Sequence, residues 1–522
     1  MNIYGKGRTF FIAGGAGLIA GLIAALLSTV LMGILRVFAG IPTPVELIGD
    51  FILKHINVDR FIQLLNMFAP HPKTGPLGVA LAAMLLLGTL LGLLYAALVR
   101  VSLPSAQRRP GRREWLVSIL FAVVMTLLGT GLFWNELRQN LLGFPINSAR
   151  LLTIASLLVS FSVYALTLCL VYRLLLPARP QTKQQRRQVL NYLGVTALGV
   201  ISGGAIALLL QDYLGKYASY DGFTTPLHGK RTAPITPNSE HYVVTKNTLD
   251  PTPDSALWRL EVAGLVRQPG TYTYAELQQL PAVSRAITLE CISNPLAGHL
   301  MGTAIWQGVE LKTLLEKHGG TLPGANFITM YSVDGYTISL PATEVIAVNP
   351  LLAWKMNAEP LPQRHGFPLR ALIPGRYGEM NPKWLTRIEF TEQKIEGLYQ
   401  SQGWYDGPLH TTSRIDFPTP ETRLTFGQAV TFSGIAFAGN RGIQQVEVST
   451  DGGQNWTRTS LQDLHSQDAW VLWSWRWQPD RRGKFSCVVR AVDGSGTVQS
   501  AQRRGAVPAG ATGYHTVPVE VI

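Results

Sequence analysis

Cysteine is scarce in this chain: Cys169, Cys291 and Cys487 are the whole complement in 522 residues, so each needs its own explanation. Charge is absent from five stretches, residues 10–35, 76–99, 115–134, 151–171 and 189–210. Uncharged apolar runs of about 20 residues match the roughly 30 Å hydrocarbon core of a bilayer. Five in succession argue against buried core helices and for spanning ones. Histidine is absent from the same stretches, since all ten lie outside them. That excludes a haem held by a histidine pair within the bilayer. No internal repeat or low-complexity segment is evident. The length exceeds what one hydrophobic core supports, so several domains are expected.

The net charge of +13 is distributed unevenly. Lys6, Arg8, Arg100, Arg108, Arg109, Arg112, Arg113, Arg173, Arg179, Lys183, Arg186 and Arg187 lie in alternate segments between the apolar runs, against one acid there, Glu114. Such a bias reports topology and not nucleic-acid binding, because cytoplasmic loops retain Lys and Arg. It predicts an amino terminus inside and everything after residue 210 outside the cytoplasmic membrane, on the periplasmic side. Residues 41–68 mix charges with apolar residues at helical spacing, which predicts an interfacial helix. The run QQRRQVLNYLGVTALGV, with Arg186 and Arg187, resembles a twin-arginine export signal. No small-residue cleavage site follows it, so the segment is read as an uncleaved anchor.

Beyond residue 211 the chain reads as water-soluble. Residues 212–240, rich in Tyr, Gly, Thr, Pro and Lys without a hydrophobic period, form a linker. WRLEVAGLV alternates like a half-buried strand, while AELQQL and VELKTLLEKHG have helical spacing, the latter ending at Gly319. This mixture, without regular βαβ spacing, predicts an α+β domain over 241–418. From 419 to 522, VTFSGIAFAG, QQVEVSTDGGQNW and KFSCVVRAVDGSG are evenly spaced strands with Asp-Gly and Gly-Gly turns. They predict a β-sandwich of immunoglobulin type. The fold class is thus multi-domain: an all-α membrane region of five transmembrane helices (1–211), an α+β domain and an immunoglobulin-like β-sandwich.

The cysteines then separate. Cys169 lies within the fourth apolar run and reads as a small hydrophobe. Cys487 alternates with Phe485 and Val489 on one strand face, facing a core. Cys291 ends the apolar strand of LECISNPLAGHL and enters a Ser-Asn-Pro turn. A buried structural thiol, a disulfide to Cys487 and a soft metal ligand all remain open for it. One protein sulfur suffices for a metal when a cofactor supplies the others.

HYVVTKN, LECISN, GYTISLP, LAWKMNAEPLPQRHGFPLR and PGRYGEMNPKWLTRIEF occur in this order. Through them, residues 241–390 resemble the molybdopterin domain of the sulfite oxidase family, and 419–522 resemble its immunoglobulin-like dimerisation domain. The resemblance implies that Cys291 is the single protein ligand of molybdenum in a molybdenum–molybdopterin cofactor. It implies that Asn247, His365, Arg370, Asn381 and Lys383 grip the pterin and its phosphate, and that Tyr336 lies near the metal and positions substrate. A buried phosphate calls for Arg and Lys donors on physical grounds as well. The chain departs from the family where substrate-holding arginines are expected, carrying Lys246, Leu296 and Thr516. No haem-domain signature appears, so no haem is expected and electrons must pass to a separate partner, a c-type cytochrome or a quinone-linked protein. A homodimer fits the second domain. The implied activity is two-electron oxygen-atom transfer on a small substrate, with a sulfoxide or N-oxide favoured over sulfite. The alternatives are a sulfite dehydrogenase and a non-catalytic membrane-tethered binding module.

Overall fold

The runs without charge become long helices. The computed structural model describes residues 6–68, 74–101, 103, 109–177, 184–215, 232–247, 250–420, 422–462 and 466–522. The chain divides into two compact units, one all-helical and one rich in β-structure.

In the helical unit α1 spans Lys6–Ala39, α2 Pro44–Lys54, α3 Val58–Met67, α4 Thr74–Val99, α5 Arg112–Leu132, α6 Ile146–Leu175 and α7 Gln184–Gly215. Five of these, α1 and α4 to α7, are long and apolar enough to cross a membrane. The interfacial helix expected over 41–68 is two helices instead, broken at residues 55–57. The helix α7 runs through Gly215, into the stretch expected to be linker. The side chains of Arg186 and Arg187 lie outside the described residues, as does most of the segment 212–240.

Small residues let α1 and α4 approach closely. A β-carbon on Gly21 would stand 2.7 Å from the Gly88 carbonyl oxygen, one on Gly88 2.7 Å from Ala25 Cβ, and one on Gly92 would collide with the Gly17 carbonyl. In lipid, such close packing and interhelical hydrogen bonds replace the hydrophobic drive. Tyr164 Oη of α6 donates to the Gly88 carbonyl at 2.6 Å, and Ser28 Oγ of α1 donates to the Ser160 carbonyl at 3.0 Å. Gly92→Leu is therefore expected to separate α1 from α4. A sharp fall in detergent-extracted folded protein and in its unfolding midpoint would register this; Gly203→Leu, where a β-carbon meets open space, should be tolerated.

Glu114 does not behave as a solvated loop acid. It is buried at the start of α5, its Oε2 accepts from Arg173 of α6 at 2.6 Å, and both side chains are almost fully enclosed. A buried pair of this kind fixes partners more than it adds stability. Tyr95 of α4 joins them by donating to the Glu114 carbonyl at 3.3 Å, and its ring meets that of Tyr172 edge-on at 5.5 Å.

The β-rich unit holds two sheets followed by a sandwich. One sheet runs in the order Gly270–Thr273, Arg259–Gly264, Leu385–Thr391, Phe327–Ser332, Thr337–Pro341. The other is ordered Val283–Glu290, Met301–Glu310, Leu351–Met356, Glu359–Pro360, with Arg370–Leu372 also pairing with Leu351–Met356. The helix expected in AELQQL is Tyr274–Gln278, capped reciprocally by Thr273 and Glu276, and that in VELKTLLEKHG is Leu311–Lys317. Trp258, Trp306 and Trp384, all buried, anchor this core through indole N–H donors to the Leu385, Ile287 and Gln363 carbonyls. A buried indole needs such a partner.

The sandwich has a four-stranded sheet, Thr412–Phe417, Val430–Phe437, Val471–Trp477, Ser460–Gln462, and a five-stranded one, Arg423–Leu424, His515–Val521, Gly483–Asp493, Ile443–Ser449, Thr457–Arg458. Phe432, Trp473, Val446, Cys487 and Val489 fill the space between them. All three cysteines are free and buried, so the disulfide between Cys291 and Cys487 is ruled out and Cys487 is a core residue.

Candidate active site

Cys291 stands where the strand Val283–Glu290 ends and a ten-residue loop returns to its partner Met301–Glu310. The loop is pinned internally. Cys291 N donates to the Leu300 carbonyl at 2.9 Å, Asn294 Oδ1 accepts from Leu300 N at 2.9 Å, and Asn294 Nδ2 donates to Glu290 Oε1 at 2.8 Å. Proline and Asn294 thus hold the thiol at a rigid strand end, with Ser293 Oγ 3.0 Å from Sγ. Burial pushes the thiol up to about 11, and the nearby Glu379 pushes the same way.

The wall facing Cys291 is the short turn Gly378–Met380. A β-carbon on Gly378 would lie 2.6 Å from Tyr242 Oη and 3.7 Å from Cys291 Cα, so glycine permits this approach. Tyr336 sits in the tight turn joining Phe327–Ser332 to Thr337–Pro341. Its hydroxyl donates to the Glu379 carbonyl at 2.7 Å and its N–H to Asp334 Oδ1 at 3.1 Å. Asp334 also accepts from Asn247 Nδ2 at 2.7 Å, tying the 232–247 segment to the same corner. Burial raises the carboxyl of Glu379 to about 8 and that of Glu290 to about 7. Neither Glu379 carboxylate oxygen has a well-formed hydrogen bond, although the Ile292 and Glu379 N–H groups favour its ionised form.

A second cluster carries positive charge. Arg370 is buried on the strand Arg370–Leu372, donates to the His365 carbonyl at 3.1 Å and the Asn381 carbonyl at 3.3 Å, and lies 5.0 Å over the Trp306 ring. Its Nε is buried with no acceptor. The rings of His365 and His241 meet at 5.3 Å. Burial first, then Arg370, brings His241 down to about 4; burial, His241, Arg370 and Lys383 push His365 lower still. Lys383 Nζ donates to the Arg364 carbonyl at 3.0 Å and the Val244 carbonyl at 3.2 Å, over the Trp384 ring. Asn381 Oδ1 accepts from Ile373 N at 2.6 Å and its Nδ2 donates to the Tyr377 carbonyl at 2.7 Å, so this side chain shapes the loop from within.

Cys291, Tyr336 and Asn247 therefore converge on one corner, and His365, Arg370 and Lys383 on an adjoining one. Tyr242 feels both Cys291 and Arg370. His241, Tyr242, Glu290 and Glu379 were not singled out from sequence. His241 and Tyr242 open the HYVVTKN run and Glu379 lies in PGRYGEMNPK, so the signal was in the motifs themselves. Leu296 lies in the loop after Cys291, whereas Thr516 is an exposed residue of the sandwich, opposite Val488.

Among the described residues no group of three or more His, Cys, Asp or Glu is placed to hold a metal ion. A metal here depends on ligands that a cofactor brings. The donor set fits one: a lone soft sulfur at a rigid strand end, beside a buried guanidinium whose Nε lacks an acceptor and two histidines that burial, and then nearby positive charge, holds neutral. That second corner is suited to a phosphate-bearing ligand.

The family described as oxidoreductase molybdopterin binding domain matches residues 248–399, and that described as Mo-co oxidoreductase dimerisation domain matches residues 407–522. The sulfite oxidase of Arabidopsis thaliana is 26% identical over 301 residues, 46% of this chain and 76% of that protein. An uncharacterised oxidoreductase of Bacillus subtilis, YuiH, is 31% identical over 152 residues, 29% of this chain and 74% of the relative. A nitrate reductase of Hordeum vulgare is 28% identical over 312 residues, and the match spans only 33% of its length. Among solved structures, the sulfane dehydrogenase SoxCD of Paracoccus pantotrophus superposes with a TM-score of 0.50 at 24% identity, over 56% of this chain and 82% of that one. The fold and these matches define an oxidoreductase with a molybdopterin-binding domain and a dimerisation domain. The chain belongs to the sulfite oxidase family of molybdopterin oxidoreductases.

The depressed histidines set a pH dependence for the cofactor-free protein. His241 has an ordinary value near 6.5 when unfolded and about 4 when folded. Above 6.5 it is neutral in both states; as pH falls from 6.5 toward 4 the unfolded chain takes up the proton and stability is lost, by about 3 kcal/mol for a shift of this size. His241→Gln should remove that share of the acid sensitivity. Urea unfolding of both proteins at pH 7 and pH 5 checks it, with a larger drop expected for wild type.

Proposed function

We propose that this protein is a membrane-anchored oxidoreductase that transfers an oxygen atom to or from a small neutral substrate, a sulfoxide or N-oxide in preference to sulfite. Its catalytic domain would lie on the periplasmic side. The observation that supports the substrate preference is that two carboxyl groups, those of Glu379 and Glu290, bear on the Cys291 sulfur. An oxyanion would meet carboxyl groups that burial holds toward their neutral form, where a bidentate arginine would have favoured it. Lys246 and Leu296 point the same way, since each stands where the family resemblance leads one to expect arginine; Thr516 is a third such position by resemblance, exposed on the sandwich.

In this reading Cys291 would supply the single protein sulfur to molybdenum. Arg370, His365 and Lys383 would hold the pterin and its phosphate, with His241 beside them and Asn247 closing the corner. Asn381 would set the turn that presents them. When bound, the molybdenum–pterin group supplies the two-electron change that oxygen-atom transfer requires. Tyr336, fixed by Glu379 and Asp334, would orient substrate. Five apolar helices support the anchor, and the twelve cations in alternate loops support the orientation with the amino terminus inside. The dimerisation domain supports a homodimer.

Each charge-assisted contact to an anion contributes roughly 1.5–3 kcal/mol. Lacking two, the site should bind sulfite about two to four decades less well than an arginine-lined one. Steady-state kinetics on metal-loaded protein tests this. A sulfoxide should be turned over with the higher kcat/KM, whereas a sulfite kcat/KM of about 10⁶ M⁻¹s⁻¹ or more, well within the efficient range, would overturn the preference.

A further inference from the structure

The Ser-Asn-Pro turn after Cys291 holds more than the chain. Asn294 N donates to the Cys291 carbonyl at 2.9 Å and Gly298 N to the Pro295 carbonyl at 2.8 Å, so residues 291–298 form two consecutive turns. The second is closely filled, since a β-carbon on Gly298 would collide with Asn294 Oδ1. In the first turn Cys291 takes the opening position and Ser293 the third. A side-chain acceptor that opens a turn receives the N–H two residues on, as Asp does. Here the acceptor is sulfur: the Ser293 N–H favours its ionised form, and Ser293 Oγ lies 3.0 Å from Sγ. Among the described residues the sulfur is the one hydrogen-bond partner of that hydroxyl. One residue thus brings two donor groups to the same atom.

We propose that Ser293 is a positioning residue that sets the reduction potential of the metal through the Cys291 sulfur. The proposal rests on the oxidoreductase reading above and adds a residue to its site. A sulfur that ligates a metal is deprotonated. It can then only accept, and the Ser293 hydroxyl must donate. A hydrogen bond to a ligating sulfur withdraws electron density that the sulfur would otherwise give the metal, and so favours the electron-rich, reduced state. With a single protein sulfur, the whole of that effect passes through one atom. Glu379 and Glu290 bear on the same sulfur with the opposite sign, but burial holds both carboxyls toward their neutral form. The donors in contact therefore decide the direction. The hydroxyl is also separable from the fold of the loop, which is pinned by Cys291 N on the Leu300 carbonyl and by the Asn294 amide on Leu300 N and Glu290.

The test uses full-length protein, produced in cells competent to make the cofactor and extracted in detergent, with its molybdenum content measured first. A redox titration followed by electron paramagnetic resonance then gives the one-electron midpoint of the metal. Ser293→Ala should lower that midpoint by about 59 mV, a tenfold change in the one-electron equilibrium. The resonance g values should change with it, while molybdenum content and the unfolding midpoint stay at wild type. Ser293→Thr, which keeps the hydroxyl, should return the potential toward wild type. Ser284→Ala, an exposed serine on the strand that ends at Cys291, should move neither potential nor g values. An alanine variant whose potential is unmoved or raised overturns the inference, as does a threonine variant that shifts as far as alanine. Protein free of molybdenum overturns the oxidoreductase reading and this inference with it, whereas metal-loaded protein with a potential indifferent to Ser293→Ala overturns the inference alone.

Discussion

Cys291→Ser is expected to abolish turnover, by about a thousandfold or more, while leaving the fold in place. The side chain is buried at a strand end and its Sγ stands 3.0 Å from Ser293 Oγ, a neighbour that a hydroxyl can keep as a hydrogen-bond partner. A hydroxyl is smaller than a thiol, so only a gap smaller than a methyl group is left. The loop is pinned by Asn294 and by the Cys291 backbone, neither of which the substitution touches. The unfolding midpoint should therefore move by only about 2–4 °C, the shift that 1 kcal/mol produces in a domain of this size. Much of the pterin should remain, because the proposed grip on it lies in the other corner. Activity assays with circular dichroism melting and pterin fluorescence check the three parts together; a serine variant that turns over normally would remove Cys291 from the mechanism.

Arg370→Met is expected to act the other way round, on cofactor retention. Arg370 is desolvated enough for its guanidinium to fall to about 10, and its Nε has no acceptor. Without a ligand it is a buried charge held by two carbonyls and the Trp306 face, and apolar replacement of such a group is often neutral or stabilising. Cofactor-free protein should thus lose at most about 1 kcal/mol. With a phosphate-bearing ligand the loss is a charge-assisted contact of about 1.5–3 kcal/mol, or about ten- to a hundredfold in affinity. Pterin content after gel filtration should drop accordingly. Full pterin content in the methionine variant, with wild-type stability, would show that the ligand sits elsewhere.

The five long apolar helices were readable because runs of that length without charge, such as residues 10–35 or 151–171, are what a bilayer-crossing helix demands. The strand end at Cys291 and the core face of Cys487 followed from alternation and turn chemistry. The break between α2 and α3 was not readable, since apolar spacing continues across residues 55–57 while the backbone turns. Glu114 and Arg173 looked like solvated charges at helix ends; only packing shows that they meet at 2.6 Å out of water. Glu290 and Glu379 were hidden for a similar reason. A carboxylate in a motif carries no mark of its burial, and what raises these two is desolvation by segments far apart in sequence. Asn381 is assigned to ligand contact by resemblance; that its amide is also engaged with Ile373 and Tyr377 was not legible in the sequence.

The account stands on a molybdenum–pterin group held through Cys291 and the Arg370 corner. Elemental analysis and oxidised-pterin fluorescence of protein extracted from membranes with detergent test that most directly. Molybdenum and pterin in equal amounts, about one of each per chain, with both falling in Arg370→Met, is the result expected. Folded protein that contains neither, when produced in cells competent to make the cofactor, would contradict it.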